Sequence, residues 1–391
     1  MTWEAIWALP NIDLDEPVDS ATFALAPPSD PRVQILTRTY PKFRAFLGRS
    51  QDTHRSPIAP TLILRRTNIP ESLRKHEAAA SFRDLIVAST VPLARSLDIV
   101  HDNALDRVRY SSFLWIYPWM LDRDYDNIIA HTPAILALHN VNQFRGHSSP
   151  DLSRATLHRR HFDEPLLQEL LRRLRVRYES ARPDWTDVAL FRSLNMANQA
   201  SLIPAGADAV IHDYGRMAAL WTSAFEILVH PGSNGQANLG RVLQLLQSTH
   251  WVDKTLGYRR YPITIGREVG RKNLACWVYK HLHSCRNAFL HGNPVTLDTL
   301  RLPKSGRFLP SHAATLYRLA LTAFLDLEWK EPIPSTEDPE ILANYANRMW
   351  EFKAPQIECE SALILSRVSI EEQRRDRENR IAQVRRGARV Q

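Results

Sequence analysis

The stretch "LACWVYKHLHSCRNAFLHGNP", residues 274–294, decides how the chain is read. Leu274, Trp277, Val278, Leu282, Cys285 and Phe289 recur three and four residues apart, with His281 on the same stripe. That is the period of a helix burying one face. Gly292 and Pro294 then stop it, because glycine takes the left-handed turn that ends a helix and proline cannot continue one. The last turns also hold His283, Arg286, Asn287 and His291. A helix that otherwise reads as core thus ends in polar and basic groups. They form either a satisfied helix terminus or a small site.

Outward from this helix, the spacing predicts helices over about 209–229, 237–247, 271–291, 312–329, 337–352 and 358–386. Upstream, Asp163 caps a helix with Pro165 in its first turn, and Leu166, Leu167, Leu170, Leu171 and Leu174 form one stripe. A second helix starts near Asp184. Residues 70–97 also keep a helical period, through Ala78, Phe82, Leu85 and Ile86, with Pro70 at the start. The first 65 residues differ. "ATFALAP", "VQILTRT" and "PTLILRR" are short apolar runs between Pro, Asp and Ser clusters and read as strands. "RYSSFLWIYPWMLDRD" reads as a strand bent or ended by Pro118, "PAILALHN" as a short apolar element, and residues 142–162 as a polar, basic loop.

The expected fold class is α+β overall: a strand-containing N-terminal domain over 1–204, an all-α helical bundle over 205–357, and a charged helix or tail over 358–391. The main boundary is set at "PAGAD", near residue 205. No internal repeat is evident.

The chain has 391 residues, a net charge of +8 and far more Arg than Lys. Arg forks onto phosphate and stacks on bases, so an anionic partner is expected. Three cysteines, Cys276, Cys285 and Cys359, argue against a disulfide framework and fit a reducing, cytoplasmic setting. The N-terminus has no basic region followed by an apolar run, so no signal peptide is expected. No stretch reaches the roughly 20 apolar residues of a membrane span. The nearest, "AALWTSAFEILV", is interrupted by Glu226.

Several constellations fail on their own chemistry. "DRDYDN", residues 122–127, begins like a calcium loop, but Asn127 and Pro133 stand where glycine and a bidentate glutamate belong. "GREVGRKN", residues 266–273, resembles a phosphate loop one residue short, with Asn273 in place of the hydroxyl residue. It reads as a loop feeding the helix from Arg271. His281 and Cys285 share a helix face near Cys276, and "HRRH" closes the polar loop, but neither has the second ligand pair that zinc needs. No metal or cofactor is expected.

That leaves the helix end. Asn287 and His291 are four apart and share a face. Arg286 and His291 are five apart, about 140° around the axis and roughly 7.5 Å along it. One helix aims them only loosely together. Two copies across a two-fold axis would pool two Arg and two His in one cleft. A histidine that shuttles a proton and an arginine that steadies phosphate suit cleavage of RNA through its own 2′-hydroxyl. Glu226 joins the candidates because, between Phe225 and Ile227, it must find a partner if buried. A structural pairing with a nearby arginine would satisfy it equally.

"RNAFLH", residues 286–291, resembles the signature motif of the HEPN superfamily. The following "GNP" and the upstream "MAALWTSAFEILV", residues 217–229, are similar to its Apea-like branch. The resemblance covers about 205–330. It implies a compact helical bundle, commonly dimeric, acting as a metal-independent endoribonuclease in toxin or phage-defence roles. Other members have lost activity and bind nucleotides or scaffold complexes. Carried over, Arg286 and His291 are the motif residues and Asn287 the polar position after the arginine. The first 200 residues resemble a region that precedes this domain in some bacterial proteins, on "FRGHSSPDL" and the "DEPLLQELL" helix. The expected protein is a homodimeric endoribonuclease acting on an RNA substrate. The alternative is a non-catalytic module binding RNA or a protein partner.

Overall fold

A computed structural model describes residues 2–52, 54–101, 107–116, 119–122, 125, 127–131, 136–140, 154–202, 210–233 and 235–387. The chain divides into two compact units. The first comprises Met1–Val91, Leu105–Asp163 and Leu167–Gly206; the second comprises Pro92–Ala104, Glu164–Leu166 and Ala207–Gln391. Strands dominate the start of the first unit, and most of the remainder is helical.

The first unit opens with strands β1 (Trp3–Leu9), β2 (Ile12–Leu14), β3 (Val18–Asp19) and β4 (Phe23–Ala26). Helices α1 (Pro31–Thr39) and α2 (Pro41–Leu47) follow, then β5 (Thr61–Arg66), α3 (Glu71–Arg74) and α4 (His76–His101). An antiparallel sheet runs in the order β1-β5-β4-β3. A register shift between Ala5 and Trp7 breaks the alternation of β1. This lets Ala5 and Ala8, three apart, join one cluster with Ala24, Ala26, Leu62 and Leu64. Val33, Leu36, Phe43 and Phe46 from α1 and α2, with Tyr125, complete that cluster. On the alternate positions Phe23 stacks on Phe82 of α4, ring centroids 5.4 Å apart. With side chains buried at both parities, "FALA" reads as one continuous apolar run.

"VQILTRT" is helical, not a strand. Asp30 caps the helix, accepting the Arg32 N–H at 2.8 Å, and Pro31 occupies the first turn. Val33 and Leu36 are buried while Ile35 is 50% exposed, a spacing of three rather than two. "RYSSFLWIYPWML" is not one strand either. A 3-10 turn at Ser111–Leu114 precedes β6 (Trp119–Leu121), which pairs with β7 (Asn127–His131) and through it with β8 (Leu136–Asn140). β9 (Ala155–Leu157) runs parallel to β2. Helices α5 (Glu164–Glu179) and α6 (Trp185–Ala200) follow, and all five leucines of the α5 stripe are buried. Several sequence features lie outside the described residues: Pro118, Arg123, Asp124 and Asp126 of "DRDYDN", Pro133 to Ile135, 142–153 of the polar loop, and the boundary at 204–208.

The second unit contains α7 (Ile211–Leu228), α8 (Leu239–Gln247), α9 (Lys254–Tyr258), the hairpin β10 (Tyr261–Ile265) and β11 (Glu268–Lys272), α10 (Leu274–Leu290), α11 (Ala313–Phe324), α12 (Pro339–Ile364) and α13 (Ile370–Gly387). Contacts between Gly215 and Phe289 at one end, and Phe225 and Tyr279 at the other, make α7 and α10 antiparallel. Aromatic rings from three helices form the centre. Phe225 lies 4.9 Å from Tyr279 and 5.4 Å from Tyr317, and Trp221 lies 5.5 Å from Tyr317. Residues 92–104 contribute Ser96, fully buried, whose hydroxyl sits 2.8 Å from Thr315 Oγ1 and 3.2 Å from Cys359 Sγ.

Several helix boundaries differ from the sequence reading, and α11 ends at Phe324 rather than near 329. α12 continues through 352–358, with Pro355 inside it, and the break falls at residues 365–369. "GREVGRKN" is no loop into a helix at Arg271. Gly266, at φ +60°, turns the hairpin, β11 runs Glu268–Lys272, and Asn273 caps α10. Among the described residues no helix is long and apolar enough to cross a membrane.

Candidate functional site

The site is built at the C-terminal end of α10. Asn273 fixes the opposite end: its side chain accepts the Cys276 N–H at 3.0 Å and donates to the Leu246 carbonyl at 2.8 Å. From Leu274 to Leu282 the helix is mostly buried. Past Cys285 it emerges, and no residue from Arg286 to His291 is buried. It closes with a reversed turn. The His291 N–H returns to the Asn287 carbonyl at 3.0 Å, and the Asn293 N–H reaches back to Ala288 at 3.1 Å. Gly292 between them has φ +70°, a conformation that costs an L side chain.

Arg286 Nη1 donates to Asn287 Oδ1 at 2.9 Å. The Asn287 amide in turn faces His283 Nδ1 at 3.4 Å, a long contact between helix neighbours four apart. These bonds tie guanidinium, amide and imidazole into one chain. The Nε of Arg286 is buried and has no hydrogen-bond partner among the described residues. The same holds for the Tyr279 hydroxyl.

Glu226, half-buried on α7, faces this group without a direct ion pair. Burial raises its carboxyl above the ordinary range, and the positive charge of Arg286 works in the opposite direction. Burial also pushes the Tyr279 phenol well up, reinforced by Glu226 and opposed by Arg286. His283 is pushed down to about 4 by burial, with Lys280 and Arg286 adding repulsion. Arg286 therefore lies at an electrostatic centre shared by a carboxyl, a phenol and an imidazole.

The structure thus gathers three of the residues expected from sequence, Glu226, Arg286 and Asn287, and adds Tyr279 and His283. His291 stands apart: it is exposed at the helix cap, and no side-chain hydrogen bond joins it to Arg286 or Asn287. Within one copy of α10, arginine and terminal histidine diverge. His283 lay in the motif window, four residues before Asn287, so its spacing was a usable signal. Tyr279 carried no such signal, because only packing against Phe225 and the charge of Glu226 give it a role.

A separate cavity of about 200 Å³ lies in the same unit, between Trp251, Trp329 and Phe352, with Lys254, Lys353 and Arg318 among its walls. Arg318, 2% exposed, donates to the Gln356 side chain, which donates onward to Glu360 at 2.8 Å. Glu360 also accepts the N–H groups of Val252 and Asp253, both at 2.8 Å. This buried network assembles from scattered segments and left no motif in the sequence.

Among the described residues no group of three His, Cys, Asp or Glu side chains is placed to hold a metal ion. Cys276, Cys285 and Cys359 are buried and not in disulfides, and burial raises Cys276 to about 12 and Cys285 to about 11. At those values they stay protonated and are poor ligands or nucleophiles. Comparison with known proteins finds no matching family model, no matching curated protein and no matching solved structure.

Proposed function

We propose that the protein is an endoribonuclease that cleaves RNA through its own 2′-hydroxyl, working as a dimer. The observation that carries this reading is the Arg286–Asn287–His283 chain at the end of α10, with an exposed histidine on the next cap position. Asn287 holds the guanidinium by one Nη, and the remaining terminal N–H groups, rather than the buried Nε, are the donors for a phosphate. His291 accepts the 2′-hydroxyl proton as O2′ attacks phosphorus. The bond from phosphorus to O5′ breaks, and the leaving oxygen takes up a proton from an imidazolium. Arg286 stabilises the charge that builds on the phosphoryl oxygens. The products are a 2′,3′-cyclic phosphate and a 5′-hydroxyl.

Because Arg286 and His291 diverge on one helix, a second copy of α10 is assigned the task of bringing the partner imidazole opposite the guanidinium. Glu226 is a positioning residue, acting through the charge of Arg286. The deciding experiment incubates pure protein with single-stranded RNA in EDTA and resolves the product ends, alongside His291→Ala. Cleavage by the wild type that drops at least a hundredfold in the variant supports the reading. Equal cleavage by both, or cleavage only after metal is added, refutes it.

The exposed and unengaged His291 favours a second reading, a non-catalytic RNA-binding module. It predicts no cleavage by either protein, with RNA affinity weakened by Arg286→Glu.

A further inference from the structure

Between Lys254 and Lys272 the chain carries Arg259, Arg260, Arg267 and Arg271 against a single acidic residue, Glu268. The fold concentrates these on one projecting element. Arg259 and Arg260 enter β10, Arg267 sits at the hairpin tip beside Gly266, and Arg271 lies on β11 opposite Pro262. All four arginines are exposed.

Their bonds do not neutralise them. Arg260 Nη1 donates to backbone carbonyls, at 3.2 Å to its neighbour Arg259, and Arg271 donates to the Arg260 carbonyl at 3.2 Å. Among the described residues none of the four forms an ion pair with a carboxylate. Arg367 adds a further cation at the base of the hairpin, 5.0 Å from the Tyr261 ring and 4.6 Å from Trp277. Directly before the arginine pair stands Tyr258, 80% exposed. Cations with no carboxylate partner among the described residues, Arg259 lying over the Tyr261 ring at 5.7 Å, stand beside the open face of Tyr258. These are the elements of sequence-tolerant single-strand binding, in which cations follow the backbone and a base stacks on the ring.

We infer that the β10–β11 hairpin with its leading turn, residues 258–271, is a docking surface for single-stranded RNA, separate from the cluster around Arg286. The choice of RNA rests on the nuclease reading above; the positive charge alone asks only for a polyanion. The hairpin feeds directly into α10, so its base lies about 20 Å from Arg286 along that helix. A strand bound there is held on the same rigid element that carries the cluster. The hairpin supplies hold and register, and the cluster acts on a phosphodiester several nucleotides away.

The test uses the full-length chain carrying His291→Ala, so that the probe survives, and a fluorescein-labelled 20-nucleotide single-stranded RNA. Affinity is measured by anisotropy across a potassium chloride series. Each phosphate contact removed lowers the slope of log affinity against log salt by about 0.7, so changing Arg259, Arg260, Arg267 and Arg271 together to Gln is expected to lower it by about 3. The matching quadruple Lys variant keeps the charge and is expected to keep most of the slope, which separates lost charge from lost fold. Single Arg267→Glu, at the exposed tip, is expected to weaken binding at low salt about tenfold.

An unchanged slope in the Gln variant overturns the inference. So does the absence of RNA binding, or binding to phosphatidylserine vesicles that is both stronger than RNA binding and lost in the Gln variant. Cleavage by the unmodified protein is scored separately. If it fails while the slope still falls, the nuclease reading is lost and the hairpin stands. If it succeeds while the slope is unchanged, the hairpin is lost and the nuclease reading stands.

Discussion

Gly215 of α7 is where the site's helix meets its neighbour most closely. A Cβ placed there would lie 2.3 Å from Phe289 Cδ1, 2.5 Å from Cγ and 2.9 Å from Cβ. Carbon atoms in contact normally stand about 3.5–4.0 Å apart. Swinging the side chain about its Cα–Cβ bond relieves the first two contacts but not the third, because Cβ is fixed to the α10 backbone. Gly215→Ala must therefore push α10 outward or drive Phe289 off its rotamer, at about 1–3 kcal/mol. Against this stands the better helix propensity of alanine, about 1 kcal/mol. The single variant is expected to be neutral or destabilised by up to about 2 kcal/mol, given that overpacking range.

In a Phe289→Gly background, which removes Cβ as well as the ring, the clash is absent and only the propensity gain of about 1 kcal/mol remains. The sign of the Gly215→Ala effect should then reverse. A double-mutant cycle by chemical denaturation is expected to show coupling of about 1–3 kcal/mol between the two positions. Hydrogen exchange of α7 and α10 amides ties the change to this helix pair. Stabilisation by Gly215→Ala in both backgrounds, with coupling below the usual additivity error of about 0.5 kcal/mol, would refute the close-packing argument.

Gly292 makes a different demand. A Cβ there would meet nothing within 4 Å, but φ is +70°, so Gly292→Ala is expected to cost about 1–2 kcal/mol from backbone strain alone, with Gly292→Asn milder, both readable by chemical denaturation. Burial raises the Glu226 carboxyl above its ordinary 4.5, so the native state holds that proton longer than the unfolded chain does. Stability from this group is fully present at pH values below 4.5 and is lost as pH rises through the raised native value. Glu226→Gln should therefore gain stability over wild type on going from pH 4 to pH 7, and a constant difference across that range would count against burial as the dominant cause. His312 is pushed by burial down to about 3, and His281 and His283 to about 4, against 6.5 in the unfolded chain. The unfolded state then binds protons first, so stability present above pH 6.5 is lost as pH falls from there towards 4. His312→Gln is expected to make that fall shallower by one proton in unfolding titrations.

Much of the helical architecture was legible from spacing. The five-leucine stripe of α5, with Asp163 and Pro165 at its start, could satisfy its period only as a helix. "VQILTRT" was misread because β-branched residues in a short run mimic a strand, while the decisive signals, Asp30 and Pro31, lay just before it. The gap expected between 352 and 358 is absent, and α12 carries Pro355 inside an otherwise continuous helix. The sequence reading places a loop at "GREVGRKN", where β11 stands; Tyr261 and Ile263, alternating with exposed Pro262 and Thr264 ahead of the Gly266 turn, are the signal of the hairpin.

For the site, residue types and the helix stop at Gly292 were visible in the window itself. What could not be read was desolvation. The upward shift of Glu226, the unpartnered Tyr279 hydroxyl and the exposure of His291 depend on which neighbours pack against α7 and α10. Those neighbours are remote in sequence.

The buried contact of Ser96 with Thr315 and Cys359 has a consequence for how the chain is made. A ribosome releases Ser96 more than two hundred residues before Thr315. Ser96 must therefore wait, its hydroxyl without these two contacts, until the carboxy-terminal half arrives. A fragment begun at 207 would lack them, leaving the Thr315 hydroxyl and the Cys359 thiol without that partner. The second unit is thus not a removable cassette: nascent chains and trimmed fragments alike lack this contact until both segments are present.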